Sequence, residues 1–443
     1  MLSLRLVSLF CGLLLLTPRI SAQMNEIKFV EYDLDNGLHV ILHQDRSTPI
    51  VAVSVMYHVG SKNEKPDRTG FAHFFEHLLF EGSENIARGE FDKYIQNAGG
   101  RNNANTTFDR TFYYEILPSN HLGTALWLES ERMLHAKVEE KGIETQRQVV
   151  KEERRQRVDN QPYGTVLEES MKRAFTKHPY HWPVIGYMEH LDAAQEADYK
   201  HFYETFYVPN NAVLSIAGDL DIEQTKEMVA QFFGTIPAGT DEIYRPNVVE
   251  PPLTKEVRDT IFDNVQLAGV IQTYRIPAQG TDDYYAVDML STLLSQGESS
   301  RLYRALVDEQ QKALFVGNFP LALEDPGVAL AFGIANIGVD PADLEAAMDA
   351  EVAKVQQELI SEEEFQKLRN QKENDFITAN NTLVGIAESL ANYHMYYGDA
   401  NLINTEINRY LGVTREDIRR VAQKYFSKDN RVVLYYLPKP EQP

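Results

Sequence analysis

Apolar and polar positions alternate along the chain with two different periods. "GLHVILHQ" (37–44) and "PIVAVSVMYHVGS" (49–61) are rich in β-branched residues and bounded by Gly, Asn and Asp, which predicts two strands. A helix is predicted over "TGFAHFFEHLLFEGS" (69–83), two more over about 119–137 and 141–160, and another over about 197–207 that leads into the strand "NAVLSIAGD" (211–219). Between them, "GGRNNANTTFDRTFYYEIL" (99–117) reads as a turn leading into a strand. Residues 235–254 carry four prolines and no amphipathic period, so a linker is expected there. The pattern then resumes with the strand "LAGVIQTYRI", helices over "YYAVDMLSTLLS" and "SSRLYRALVDEQ", the strand "VALAFGIANIG", further helices and a last strand "RVVLYYLP".

The two parts end alike. "DYKHFYETFYVPNNAVLSI" and "DIRRVAQKYFSKDNRVVLYY" share an Asp, paired aromatics eight and nine residues later, an Asn and a β-branched strand. An old duplication accounts for this, and so do two unrelated helix-to-strand endings. A length of 443 residues agrees with two domains, being too long for one comfortable core. The expected division is a signal peptide over 1–22, a first domain over 23–236, a linker over 237–255 and a second domain over 256–443.

The signal peptide rests on "MLSLRLVSLFCGLLLLTPRISAQ", with an early Arg5, an apolar core from Leu6 to Leu16 and a small-residue end at Ser21-Ala22. The core is too short for a membrane span, and Phe10 before Cys11 is too large for lipoprotein cleavage. A secreted or periplasmic bacterial protein without a membrane anchor is expected. Cys11 is the only cysteine, so the mature chain has no disulfide and no thiolate ligand. Losing Arg5 and Arg19 takes the formal charge from −22 to −24, which argues against a nucleic-acid partner.

Eleven of the 12 histidines precede the linker and only His394 follows it, so a histidine-built centre is expected in the first part. On a helix, His73 and His77 lie about 40° apart on one face, one turn above the other. Glu76 lies about 60° to the other side of His73. Two imidazoles from one rigid element, with a carboxylate that reaches the metal's open position without being a ligand, form the inverted zincin pattern H-x-x-E-H. The other reading is three ordinary helix residues that found partners. A third ligand must be His, Asp or Glu. In "ETQRQVVKEERRQRVDN" (144–160), taking Val149 and Val150 as the buried face puts Glu153 and Gln146 inward and Glu152 outward. An inward Glu153 needs either a metal or an arginine. His178 and His181 in "HPYHWP" read as a structural loop, Asn105-Thr106-Thr107 as an uninformative glycosylation match, "SEEEFQKLRNQKEN" as a solvated helix face, and Glu81 as exposed.

These motifs resemble the pitrilysin/insulinase family of zinc peptidases, the inverzincins, over essentially the whole mature chain. His73-Phe74-Phe75-Glu76-His77 matches the family signature, and Glu153 follows His77 by 76 residues, the family's interval to its third ligand. "GGRNNANTTFDRTFYYEIL" looks like the family's edge strand, while "RQVVKEERRQRVDNQPYG" and "HPYHWPVIG" are similar to the bacterial two-domain branch.

The resemblance implies an α+β fold of two similar, duplicated domains, each a mostly antiparallel sheet packed with helices, facing each other across a chamber. It implies one Zn2+ held by His73, His77 and Glu153, with Glu76 as general base. Unfolded oligopeptides would add as a strand along Asn103 and Ala104. Gln146 stands where the family often has a second glutamate, seven residues before the third ligand, so that position can hydrogen-bond but carries no charge. Val307 and Leu314 stand where self-sufficient members carry an Arg and a Tyr that support the tetrahedral intermediate, and neither can donate a hydrogen bond. The implied arrangement is a zinc-bearing subunit whose zinc-less partner supplies Arg and Tyr; a homodimer is left open. Arg301, Tyr303 and Arg304 read as ordinary helix residues.

Overall fold

The structure is a computed structural model that describes residues 26–440, so the predicted signal peptide lies outside the described residues. Two sheets organise the chain. The first contains β1 (Val30–Asp33), β2 (His39–Gln44), β3 (Ile50–Tyr57), β4 (Arg101–Thr106), β5 (Thr111–Pro118) and β6 (Ala212–Gly218), in the spatial order β1-β2-β6-β3-β5-β4. The second contains β7 (Val257–Asp263), β8 (Gly269–Arg275), β9 (Ala313–Leu321), β10 (Val328–Ala335) and β11 (Arg431–Pro438), in the order β7-β11-β8-β10-β9. Neither helix nor strand occurs between Phe233 and Val257.

Leaving out β1, the sheets superpose strand for strand in sense as well as order. β2 runs parallel to β6 as β7 runs parallel to β11, and every other neighbouring pair in both sheets is antiparallel. The repeated sequence endings have matching structures. Asp198 and Asp417 close capping boxes at the starts of helices Glu196–Phe206 and Arg415–Tyr425. Asn211 and Asn430 then donate 2.8 Å bonds to the last carbonyls, of Phe206 and Tyr425, before the chain enters β6 and β11.

The strands β2, β3 and β6 are buried almost throughout, with no alternation of buried and exposed positions. Both faces are covered, and the alternation is instead between two cores. Val40, Leu42, Leu214 and Ile216 point to helices of the first half. Ile41, Met56, Val213 and Ala217 point the other way, onto Ile386, Leu390 and Ala391 of the helix Leu383–Tyr397 from the second half. The exchange is mutual: Met171 and Ala174 of the first-half helix Val166–Ala174 pack on Ile271, Leu330 and Leu434 of the second sheet. A cavity of about 380 Å³ lies between the halves, lined by Thr107, Arg110, Tyr284, Tyr393, Tyr396 and Tyr410 among others.

Several elements differ from the pattern reading. "GGRNNANTTFDRTFYYEIL" is a hairpin of two strands, β4 and β5, not a turn and one strand. Polar "RNNANT" was masked because β4 is an edge strand, paired on one side only, where apolar periodicity is not required. β1 and β7 are polar edge strands of the same kind, whereas edge strand β9, "ALFVGNFPL", is apolar and its alternation is broken by Gly317, Asn318 and Pro320. The short helices Val166–Ala174 and Ile222–Phe233 also add to the expected set.

Candidate metal centre and active site

The motif helix, Phe71–Leu78, is fixed from three sides. Phe71, Phe74 and Phe75 bury against Tyr199 and Phe202 of the helix Glu196–Phe206, with ring centroids 4.6 Å apart for both Phe71–Tyr199 and Phe74–Tyr199. Tyr113 of β5 donates a 2.9 Å bond to the Phe75 carbonyl. At the helix start, buried Glu64 accepts the N–H groups of Gly70 and Ala72, both at 2.8 Å, satisfying orphan donors of the first turn. Gly70 (φ 90°) abuts Gly186 (φ 74°) so closely that a Cβ on Gly186 would lie 2.4 Å from the Gly70 Cα. Gly186 belongs to "HPYHWPVIG", and Trp182 of the same segment donates 2.8 Å to the Ser61 carbonyl. In the described structure that segment is a clamp on the motif helix; His178 caps a single turn, its backbone N–H donates 2.8 Å to Glu250, and its ring Nε2 lies 3.4 Å from Asp325 of the second half.

With its phenylalanines inward, the helix presents His73, Glu76 and His77 to the helix Glu140–Arg154. Glu153 Oε2 sits 3.5 Å from His73 Nε2 and 3.1 Å from His77 Nε2. Tetrahedral zinc with bonds of about 2.0–2.1 Å needs donors about 3.3 Å apart, so these separations match a common ion. Glu153 Oε2 is buried and makes no hydrogen bond of good geometry, which is the state of a carboxylate oxygen that wants a cation. Burial and the neighbouring His77 push His73 down to about 4, keeping it neutral and competent as a ligand at ordinary pH. Its contact with His77 holds the Glu153 carboxyl below the usual carboxylate range. The other oxygen, Oε1, pairs with exposed Arg157 at 2.8 Å, so the arginine reading is realised on one oxygen and the metal-like geometry on the other.

Glu76 lies outside this trio. Its Oε2 accepts a 2.6 Å bond from Thr106 Oγ1, and burial raises its carboxyl above the usual range. Thr106 ends β4, whose Asn103 and Ala104 pair with Tyr114 and Tyr113 of β5 and have no strand on the other side. A carboxylate poised to accept a proton and an open strand edge therefore meet at one residue. In the sequence Thr106 shows only as part of the glycosylation match, and nothing local signals its bond to Glu76. Asn105 of that match is tied down by Arg110 at 2.5 Å.

Three expectations need adjustment. Val149 is exposed while Val150 and Ile143 are buried, so Glu153 lies at the rim of the inward face instead of its centre, where a group facing a groove belongs. Glu81 is not exposed: its side chain is only 10% accessible and is paired with Arg88. Gln146 donates to this Glu81 at 2.5 Å, spending its amide on a carboxylate outside the trio. In the second half, Arg301 is engaged by Glu364 at 2.9 and 3.0 Å and Arg304 by Glu309 at 3.0 Å. Val307 packs on the second core, and Leu314 is exposed at the start of edge strand β9.

Residues 39–186 match Insulinase (Peptidase family M16), and residues 194–372 match the Peptidase M16 inactive domain. The chain belongs to the M16 family of peptidases. It is 31% identical to the zinc protease PqqE of Helicobacter pylori, over 91% of this chain and 92% of that one. A solved protease from Helicobacter pylori superposes with a TM-score of 0.88 at 31% identity, covering 93% of this chain and all of that structure. The first half of the periplasmic protease PqqL of Escherichia coli shares the fold, with a TM-score of 0.75 at 20% identity over 93% and 92% of the two chains. Among the described residues no helix is long and apolar enough to cross a membrane.

Proposed function

We propose that the chain is a zinc metalloendopeptidase subunit that cleaves extended oligopeptides. The observation that carries this is the convergence of His73 Nε2, His77 Nε2 and Glu153 Oε2 beside an acceptor, Glu76, and an unpaired strand edge. Zinc, when bound by those three residues, polarises a peptide carbonyl and acidifies water. Glu76 takes the attacking water's proton on its carboxylate and delivers it to the departing amine. Asn103 and Ala104 of β4 hold the substrate backbone as an added strand, which selects unfolded segments and reads side chains weakly. Thr106 orients the Glu76 carboxylate toward that edge.

The second half offers no Arg and Tyr at Val307 and Leu314. Loss of such oxyanion support commonly costs a few kcal/mol, so the active form pairs this chain with a related zinc-less one. The N-terminal segment supports export to the periplasm or medium. A non-catalytic assembly subunit is the second reading, favoured by the missing Arg/Tyr pair and opposed by the complete His73, Glu76, His77 and Glu153 set.

The deciding experiment supplies purified mature chain, zinc-loaded, with a pool of unfolded peptides, alone and with a related Arg/Tyr-bearing chain. Chelator-sensitive cutting that depends on the second chain supports the subunit reading. Brisk cutting by the chain alone overturns the partner requirement, and no cutting under either condition leaves the assembly reading. Glu76→Gln should abolish turnover while retaining zinc; His73→Ala or Glu153→Ala should lose the metal too.

A further inference from the structure

A second cluster of ligand-type side chains lies on the opposite side of the first sheet, and it includes the one histidine beyond the linker. Glu31 and Asp33 occupy the same face of β1, two residues apart, and Asp33 is directly paired with His39 of β2. His394 reaches them from the second-half helix Leu383–Tyr397, its ring stacked on His39 with centroids 3.3 Å apart and planes 9° apart. His39 Nδ1 is 2.7 Å from Asp33 Oδ1, and His39 Nε2 is 3.3 Å from Glu31 Oε2. His394 Nδ1 is 4.0 Å from the same Glu31 oxygen. One ligand atom from each of Glu31, His39 and His394 falls within 4.8 Å of the others, as do those of His73, His77 and Glu153.

We propose that Glu31, His39 and His394 form a second transition-metal site, suited to zinc, that bridges the two halves of the chain. Both nitrogens of His39 face carboxylate oxygens, yet a neutral imidazole carries one N–H. If Nδ1 donates to Asp33, the Nε2 lone pair points at Glu31 and needs a cation between them. A metal there reproduces the carboxylate–histidine–metal relay, in which Asp33 fixes the tautomer and strengthens the ligand. The donor set of two imidazole nitrogens and one carboxylate oxygen suits zinc and its neighbours and not calcium or magnesium. The 3.3 Å separation of His39 Nε2 and Glu31 Oε2 already matches tetrahedral zinc; His394 Nδ1, 4.0 Å from the same oxygen on a ring stacked against His39, has to turn out of the stack to aim its lone pair at the ion.

The site is built and reachable. His39 is almost wholly buried, whereas the side chains of Glu31 and His394 are 42% and 28% accessible, which leaves an entry path. The strand bearing Glu31 is held nearby by reciprocal bonds of 2.8 and 3.0 Å between Ile27 and Asn404. Leu390 and Ala391, on the helix that carries His394, are part of the apolar seam joining the halves. A bound ion therefore adds a cross-link to that seam, beside the Arg110–Glu388 ion pair made by the same helix, and it resists separation of the halves.

The test uses full mature chain in which His73 and His77 are both alanine, so that only the second cluster is counted and catalysis is irrelevant. After chelator treatment and dialysis against Zn2+, elemental analysis should find one zinc per chain, and zinc should raise the thermal unfolding midpoint. Adding Glu31→Gln or His394→Gln should remove both effects, and Asp33→Asn should weaken zinc binding about tenfold. Glu31 is largely exposed, so its replacement leaves folding intact even where a change at the stacked histidines does not. A chain that holds no zinc, with His39 simply protonated between its carboxylates, overturns the proposal. So does zinc retained undiminished in the Glu31→Gln and His394→Gln variants.

Discussion

Thr106 Oγ1 donates a 2.6 Å hydrogen bond to Glu76 Oε2, joining the end of the open edge strand to the proposed general base. The bond favours the ionised carboxylate, while burial opposes it and leaves Glu76 raised overall. Thr106→Val keeps the shape and removes the donor, so Glu76 rises further. The basic form is then lost at higher pH, and the acid limb of the kcat/KM profile should move upward, with activity near its foot falling several-fold and zinc content unchanged. A profile identical to that of the parent chain would show that Thr106 does not act on Glu76.

Gly186 and Gly70 make a backbone-to-backbone contact that no side chain fits. Alanine at 186 would have to hold φ 74° with its Cβ 2.4 Å from the Gly70 Cα. Strain plus displacement should cost more than about 2 kcal/mol, read as a lowered unfolding midpoint. Because Gly70 immediately precedes the motif helix, zinc affinity should fall as well, even though no ligand is changed. Gly186→Ala with parental stability would refute the clamp.

Asn211 and Asn430 occupy equivalent places in the two halves, each binding the last carbonyl of the helix before it. Replacing either by alanine leaves a carbonyl without its partner, at a cost of about 1–3 kcal/mol. Comparable losses of stability in Asn211→Ala and Asn430→Ala, measured by denaturant unfolding, would express the duplication in energetic terms. A loss at one position only would argue against equivalent roles.

Those asparagines also show why parts of the fold were legible in the sequence. The Asp at N3 and the Asn thirteen residues later recur because each answers a local backbone demand, capping one end of a helix and tying the other. Local demands leave local signals. The buried strands β2, β3 and β6 announced themselves for a related reason, since both faces need apolar residues. Edge strands such as β4 lack that need, and "RNNANT" looks like a turn. The convergence of His73, His77 and Glu153 was legible in part, because His73 and His77 share one helix face and Glu153 stands at the rim of the inward face of another. Glu64 and Thr106 were not, since their partners, Gly70, Ala72 and Glu76, are fixed by tertiary approach and not by period. His394 is the sharpest case: its isolation in the second half pointed away from a metal role, and only the exchange of helices between halves brings it to His39.

Glu324, which carries charge across the junction between halves, should contribute a distinct share of the molecule's acid response. Burial alone would push its carboxyl up, but His58 at 2.9 Å and the buried Lys62 outweigh burial and bring it from 4.5 down to about 2. Lys62 is in turn held by buried Asp109 at 3.0 Å, so the carboxylate meets a cation that cannot retreat to water. A carboxyl whose folded value is depressed stabilises the fold above its unfolded value and loses that contribution as the pH falls through the folded one. The window here runs from about 4.5 down to about 2. The contribution is on the order of 3 kcal/mol, shared with Lys62 and His58. Glu324→Gln should lower stability near neutrality by a similar amount and flatten its decline across that window, since no proton is then taken up at this position. Unfolding midpoints measured from pH 6 to pH 2, in steps of about half a unit, would reveal this. If the Glu324→Gln chain declines as steeply as its parent, the acid sensitivity resides in other carboxylates and the junction is held chiefly by its apolar seam.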